Sequence, residues 1–144
     1  MKNILVTLDF EENEKKLIDV ATQFAQSFNS KLWLIHITAP DPDFVGYDAG
    51  PQYIRDNRAK EIKKEHRQLE DYCRALEKQG MDADGILLQG ATTEMIIKKS
   101  EKLNIDLIIT GHRNRGIFYK ALLGSVSSQI IKKSKIPVLV IPLR

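Results

Sequence analysis

Residues Asp106–Ile141 read DLIITGHRNRGIFYKALLGSVSSQIIKKSKIPVLVI. Asp106–Thr110 (DLIIT) is short, apolar and β-branched, the pattern of a strand buried on both faces. Gly111–Leu123 is a glycine-containing basic loop, Gly124–Ser134 a short helix, and Pro137–Ile141 a second apolar strand. Strand, helix and strand in that order form one parallel crossover unit.

The same alternation runs back to the N-terminus. Asn3–Leu8 (NILVTL) reads as a buried strand and Asn13–Phe28 as a helix. Leu17, Ala21, Phe24, Ala25 and Phe28 recur at helical spacing, with Glu14, Lys15 and Lys16 opposite. The Asn13 side chain is the expected N-cap acceptor. Lys31–Thr38 (KLWLIHIT) is the second strand. Ala39–Gln52 holds three prolines, two glycines and three aspartates and reads as a long loop. Tyr53–Gln79 is a helix with Ile62, His66, Leu69, Cys73 and Leu76 as its apolar stripe, stopped by Gly80. Ala83–Leu88 is the third strand. Thr92 or Thr93 caps a helix that runs to about Leu103 on Met95, Ile96 and Ile97. The order βαβαβαβαβ predicts an α/β fold, with residues 1–144 as one domain. Its core is a single doubly wound five-stranded parallel sheet with helices on both faces, a flavodoxin-like three-layer sandwich.

Composition narrows the function classes. The 144 residues carry 22 basic and 19 acidic side chains, 42% hydrophobic residues and one cysteine. That suits one folded domain and excludes an intramolecular disulfide or a multi-cysteine metal site. A net charge of +3 is too small to argue for nucleic acid. No stretch approaches the roughly 18 apolar residues of a membrane helix. Asp9 ends the first apolar run and Glu11, Glu12 and Glu14 follow, which is a strand entering a polar loop and not a signal peptide. The expected compartment is the cytoplasm.

In open parallel sheets, ligands sit beyond the carboxyl ends of the strands at the topological switch point. Two strand ends there carry chemistry-capable residues: Asp9 after the first strand, and the GHRNRGIFYKALLGS stretch after the fourth. Gly111 and Gly116 have Walker A spacing, but Ile117 and Phe118 stand where Lys and Ser/Thr are needed, so a P-loop is excluded. The first loop lacks G-x-G-x-x-G, which excludes the dinucleotide fingerprint. What remains is a basic loop feeding a helix that starts Gly124-Ser125-Val126-Ser127-Ser128. A helix N-terminus offers unpaired N–H groups to an anion. Gly124 allows close approach, Ser125 and Ser127 add hydroxyl donors, and His112, Arg113, Arg115 and Lys120 favour phosphate. The plainer alternative makes Gly111 and Gly124 turn glycines and Ser125 an N-cap.

At this loop the chain resembles the universal stress protein family. That family's nucleotide loop reads G-x2-G-x9-G-[S/T], and Gly111, Gly124 and Ser125 match it in register. The opening ILVTLDF and the tail SVSSQIIKKSKIPVLVIP are similar as well, so the resemblance covers essentially the whole chain. It implies a small cytoplasmic stress-response protein, a homodimer, with one branch that binds ATP and another that does not. In the ATP branch the first-loop Asp meets the ribose, backbone after the second strand meets the adenine, and the fourth-strand loop holds the phosphates, often with a divalent ion such as Mg²⁺. Carried over, these positions are Thr7, Leu8 and Asp9, then Ile37, then Gly111, Gly124 and Ser125. The departure is Asn114, at the second glycine. If that glycine serves a left-handed turn, Asn costs roughly 1–2 kcal/mol and weakens binding about five- to thirty-fold. If it makes room for a phosphate, the side chain closes the site.

Other residues have plainer readings. His36 reads as a satisfied strand-end histidine, His66 and Cys73 as packing and not a metal pair, and Trp33 as core. The spacing of Asp41, Asp43 and Asp48 misses a calcium loop. No nucleophile–base–orienter set is visible, so hydrolysis of ATP is expected to be slow or absent. The apolar last strand, Pro137–Ile141, is expected at a sheet edge, where it pairs with its copy in a second subunit. A nucleotide-free dimer acting through protein contacts is the alternative function, and an enzyme of another type on the same scaffold is a third.

Overall fold

β1 (Asn3–Leu8), α1 (Glu14–Phe28), β2 (Lys31–Thr38), α2 (Gln52–Lys78), β3 (Ala83–Gln89), α3 (Thr93–Lys102), β4 (Leu107–His112), α4 (Val126–Lys133) and β5 (Val138–Pro142) follow one another along the chain. The structure is a computed structural model and describes residues 1–38, 52–90, 93–113 and 126–143. The strands form one sheet in the order β3-β2-β1-β4-β5, and every pairing is parallel.

The apolar runs explain the layering. Successive strand side chains point to opposite faces, so a strand covered on both sides must be apolar throughout. On one face Ile4, Val6 and Leu8 pack with Leu17, Ala21 and Ala25 of α1 and with Leu69, Cys73 and Leu76 of α2. On the other, Leu5, Ile35 and Ile108 pack with Ile96 of α3 and Ile130 of α4. The doubly wound, two-faced architecture expected from the alternation is therefore present, with the strand order 3-2-1-4-5 in place of the flavodoxin order 2-1-3-4-5. The start of the β1–β4 pair is fixed by Asp106, whose Oδ2 accepts the N–H groups of Lys2 (2.7 Å) and Asn3 (2.9 Å). Those two donors hold the Asp106 carboxyl below its usual range.

Several local expectations are corrected. Asn13 sits at the cap of α1 but in the left-handed region (φ 65°), and its side chain makes no capping hydrogen bond. His66 is exposed and pairs with Glu70 on its own helix, so the α2 stripe runs through Leu69, Cys73 and Leu76 without it. Met95 is exposed, and Ile96 supplies the buried contact of α3. Gly111 and His112 belong to β4, because each has a partner on β5, Ile141 and Pro142 respectively. The Ala39–Gln52 loop lies outside the described residues except for Gln52, which opens α2.

α2 approaches the edge strand β3 closely at Gly85. A Cβ there would stand 2.8 Å from Leu69 Cγ and 3.3 Å from Cys73 Sγ. Gly85→Ala is expected to destabilise the fold by about 1–3 kcal/mol through this overlap. Urea unfolding monitored by circular dichroism measures it. An unchanged midpoint would mean that Leu69 moves aside without penalty.

Candidate functional site

The strand order reverses between β1 and β4, since β1 leads outward to β2 while β4 leads the other way to β5. α1 leaves the end of β1 onto one face and α4 follows β4 on the other, which opens a crevice between the two strand ends. Inside the sheet both strands are apolar. At their ends they turn polar: Thr7 Oγ1 donates to Thr110 Oγ1 at 2.8 Å across the β1–β4 boundary. Just beyond this pair, the Arg113 guanidinium forks onto Asp9, with Nε and Nη2 each 2.9 Å from a carboxylate oxygen. Nη1 of Arg113 also bonds the Glu12 carbonyl, and Glu11 Oε2 lies 3.8 Å from Nε. A planar fork on a carboxylate is the strongest pairing these side chains offer. The hydrogen bonds to Asp9 raise the Arg113 pKa above its usual value.

The β1–α1 loop that carries Asp9 is unusual in its backbone. Phe10 has φ 61° and Asn13 φ 65°. A bulky L-residue in that region is held at a cost of about 1–3 kcal/mol by its surroundings. Two contacts do the holding. Glu14 Oε2 accepts the N–H groups of Asp9 (2.8 Å) and Phe10 (2.9 Å). The Phe10 ring stacks on His36 with centroids 4.0 Å apart. His36 is buried and donates from Nδ1 to the Leu8 carbonyl at 2.9 Å, while its Nε2 lies 3.7 Å from Glu65 Oε1. His36 is a strand-end histidine as expected, but only Nδ1 is satisfied; the buried Nε2 makes no hydrogen bond among the described residues. Glu14 is only 3% exposed, and burial first, then the neighbouring Asp9, raise its pKa from 4.5 to about 7. Burial and then the Glu14 charge push the Tyr72 hydroxyl up as well.

The sequence-derived candidates fall into three groups. Thr7, Asp9 and Arg113 converge on the crevice as described. Leu8 is core, Ile37 is half-buried against the α3–α4 face, and Ser127 is buried in the first turn of α4, whose first residue is Val126. Gly111 has a packing reason of its own: a Cβ there would stand 2.4 Å from Leu143 Cδ1. His112 accepts the Leu143 N–H at its carbonyl at 2.8 Å. Asn114, Arg115, Lys120, Gly124 and Ser125 lie outside the described residues. Sequence reasoning missed Thr110, which looked like the last residue of an apolar strand. It also missed Glu14, which was assigned to the polar side of α1. Glu14 stands in line with Leu17, Ile18, Ala21 and Ala25 at helical spacing, and a carboxylate on an apolar stripe was the available signal.

Away from the crevice, a groove of about 650 Å³ between α2 and β3 is lined by His66, Cys73, Asp84 and Leu87, among others. Among the described residues no group of three or more His, Cys, Asp or Glu is placed to hold a metal ion. Burial raises the Cys73 thiol to about 11, which makes it a packing residue and not a thiolate at neutral pH. No helix among the described residues is long and apolar enough to cross a membrane.

Residues 1–142 match the universal stress protein family, Usp. The stress response protein NhaX of Bacillus subtilis is 27% identical over 165 residues, covering 96% of each chain. The universal stress protein A homolog 1 of Coxiella burnetii is 30% identical over 142 residues, covering 97% of this chain and 95% of that one. Among solved structures, protein MJ0577 of Methanocaldococcus jannaschii superposes with a TM-score of 0.80 at 27% identity, covering 99% of this chain and 96% of its own. A universal stress protein in complex with cAMP gives 0.73 at 19% identity, covering 99% and 98%. An Arabidopsis thaliana family member with AMP bound gives 0.69 at 18% identity, covering 100% and 93%. At that identity the last two speak for the fold alone. With the profile, the relatives and the switch-point architecture in agreement, this chain belongs to the universal stress protein family.

Proposed function

We propose that this protein is a regulatory nucleotide-binding member of the family that takes ATP, or a related adenine nucleotide, in the crevice between β1 and β4. The observation that carries this reading is the convergence of the Asp9 carboxylate, the Thr7–Thr110 hydroxyl pair and the Arg113 guanidinium at one switch point. A carboxylate suits ribose hydroxyls, and a guanidinium suits phosphate. Structural neighbours that hold cAMP or AMP support the adenine class. In this reading Asp9 takes the ribose and the backbone at Ile37 faces the adenine. The phosphates lie between Gly111 and the start of α4, at Gly124, Ser125, Val126 and Ser127, with Mg²⁺ beside them. His112, Asn114 and Arg115 border that path. The protein acts by binding in the cytoplasm, with hydrolysis slow at most.

One observation favours the nucleotide-free alternative: Arg113 already occupies both Asp9 oxygens. Isothermal titration decides between the two. The expected result is saturable heat with ATP and Mg²⁺ below millimolar nucleotide, abolished by Gly124→Val. Asn114→Gly is expected to tighten binding, by about five- to thirty-fold if the family's second glycine serves a left-handed turn. No heat at millimolar ATP, AMP or cAMP overturns the nucleotide reading.

The same proposal includes a homodimer through the last strand. β5 lies at the sheet edge, its Val138, Leu139 and Val140 are half-buried, and Ile131 of the adjacent α4 is exposed. An apolar edge with open backbone groups suits a second copy of itself. Sedimentation velocity is expected to give the mass of two chains, and Val140→Glu to give one. A monomeric wild type at tens of micromolar would remove the dimer from the proposal.

A further inference from the structure

The loop that presents Asp9 is shaped from beneath by Glu14. Its position on the apolar stripe of α1 drives the carboxylate into the core. There one oxygen collects both N–H groups that follow β1, those of Asp9 and Phe10. A backbone that turns left-handed at a phenylalanine keeps that shape only where neighbours over-determine it. Glu14 supplies two of those constraints, and the Phe10–His36 stack supplies another. The other carboxylate oxygen of Glu14 is buried with no hydrogen-bond partner among the described residues. Glu14 is thus held at the foot of the crevice and exposes almost nothing to a ligand.

We propose that Glu14 is a positioning residue of the crevice: its carboxylate holds the β1–α1 loop so that Asp9 faces the sugar of a bound adenine nucleotide. The inference rests on the nucleotide reading of the same crevice. Three groups face Glu14 from the elements around it: Asp9 from the loop, Tyr72 from α2 and Arg113 beyond β4. His36 and Glu65 pair with each other on the far side of Phe10. Burial and Asp9 bring Glu14 to titrate at about 7. The ionised carboxylate is the stronger acceptor, so protonation weakens both loop bonds. Affinity is therefore fully developed above about pH 7 and falls as the pH drops through it. Stability has the opposite sign. The folded pKa lies above the unfolded value of 4.5, so the folded state binds the extra proton between about 4.5 and about 7. This contribution to stability therefore declines as the pH rises across that window.

The test uses cAMP, a phosphodiester without the second ionisation of a phosphate monoester. Its affinity is measured from about pH 6 to about pH 8 for the wild type, Glu14→Gln and Glu14→Ala. The ¹⁵N-amide shifts of Asp9 and Phe10 are followed over the same range in the free protein. The expected wild-type result is a loss of about tenfold in affinity toward acid, with both amides titrating together near neutrality. Glu14→Gln keeps one carbonyl acceptor and should bind more weakly than the wild type does at about pH 8, without the pH step. Glu14→Ala should be weaker still. A flat wild-type profile, an unchanged step in Glu14→Gln, or amides that do not titrate overturns the inference. So does full affinity in Glu14→Ala. If Glu14→Ala fails to fold, Glu14→Gln and the amide titration decide alone. Failure of the wild type to bind cAMP or ATP at any pH is a different result, because it removes the nucleotide reading itself.

Discussion

β1 lies between β2 and β4, and Ile4, Leu5 and Val6 have no exposed surface. Both edges of the strand are paired and both faces are covered, so its backbone groups are satisfied and its side chains must be apolar. A strand so enclosed has nothing polar to offer until it leaves the sheet. That constraint concentrates Thr7 and Asp9 at one end of β1. The same rule applied to β4 places Thr110 and Arg113 beside them. The crevice is the exit from the most enclosed part of the molecule.

At that exit the charges are arranged by depth. Asp9 is half-exposed and meets Arg113, whereas Glu14 is buried and meets only backbone donors and its neighbours. A buried carboxylate with an oxygen lacking a donor keeps its proton to a higher pH. Two carboxylates a few residues apart thus do different jobs, one facing outward and one bracing the loop from within. The basic loop after β4 is also less uniformly directed at phosphate than its composition implies. Its first cation, Arg113, turns back onto the β1 loop.

The large features were legible because they rest on local patterns. Apolar runs such as NILVTL and DLIIT read as buried strands from their local pattern alone, and the alternation with helices leaves little choice of fold class. The family resemblance was read from spacings, and the family itself is borne out by the match over residues 1–142. What the sequence hid depends on partners distant in the chain. Gly111 and His112 are strand only because Ile141 and Pro142 lie alongside them. Asn13 has a capping side chain by type, but the left-handed turn at that position removes it from the cap. Glu14 was hidden by its chemistry, since carboxylates on helices usually face water.

Asp106 ties the first residues of the chain to β4 across 104 positions, and the Thr7–Thr110 pair repeats that span at the other end of the strand. By contrast β2 joins β1, and β3 joins β2, through crossovers between nearer segments, at Asn3–Lys31 and Leu32–Ala83. Contacts between distant segments carry the largest loop-closure penalty and form late. During synthesis, β1, β2 and β3 with their two helices can assemble while the rest is still being made, leaving one edge of β1 bare. The arrival of β4 covers that edge and, in the same step, brings Arg113 to Asp9. Pairing of β4 with β1 and creation of the crevice go together, so a nascent chain has no crevice to fill until Arg113 has been made.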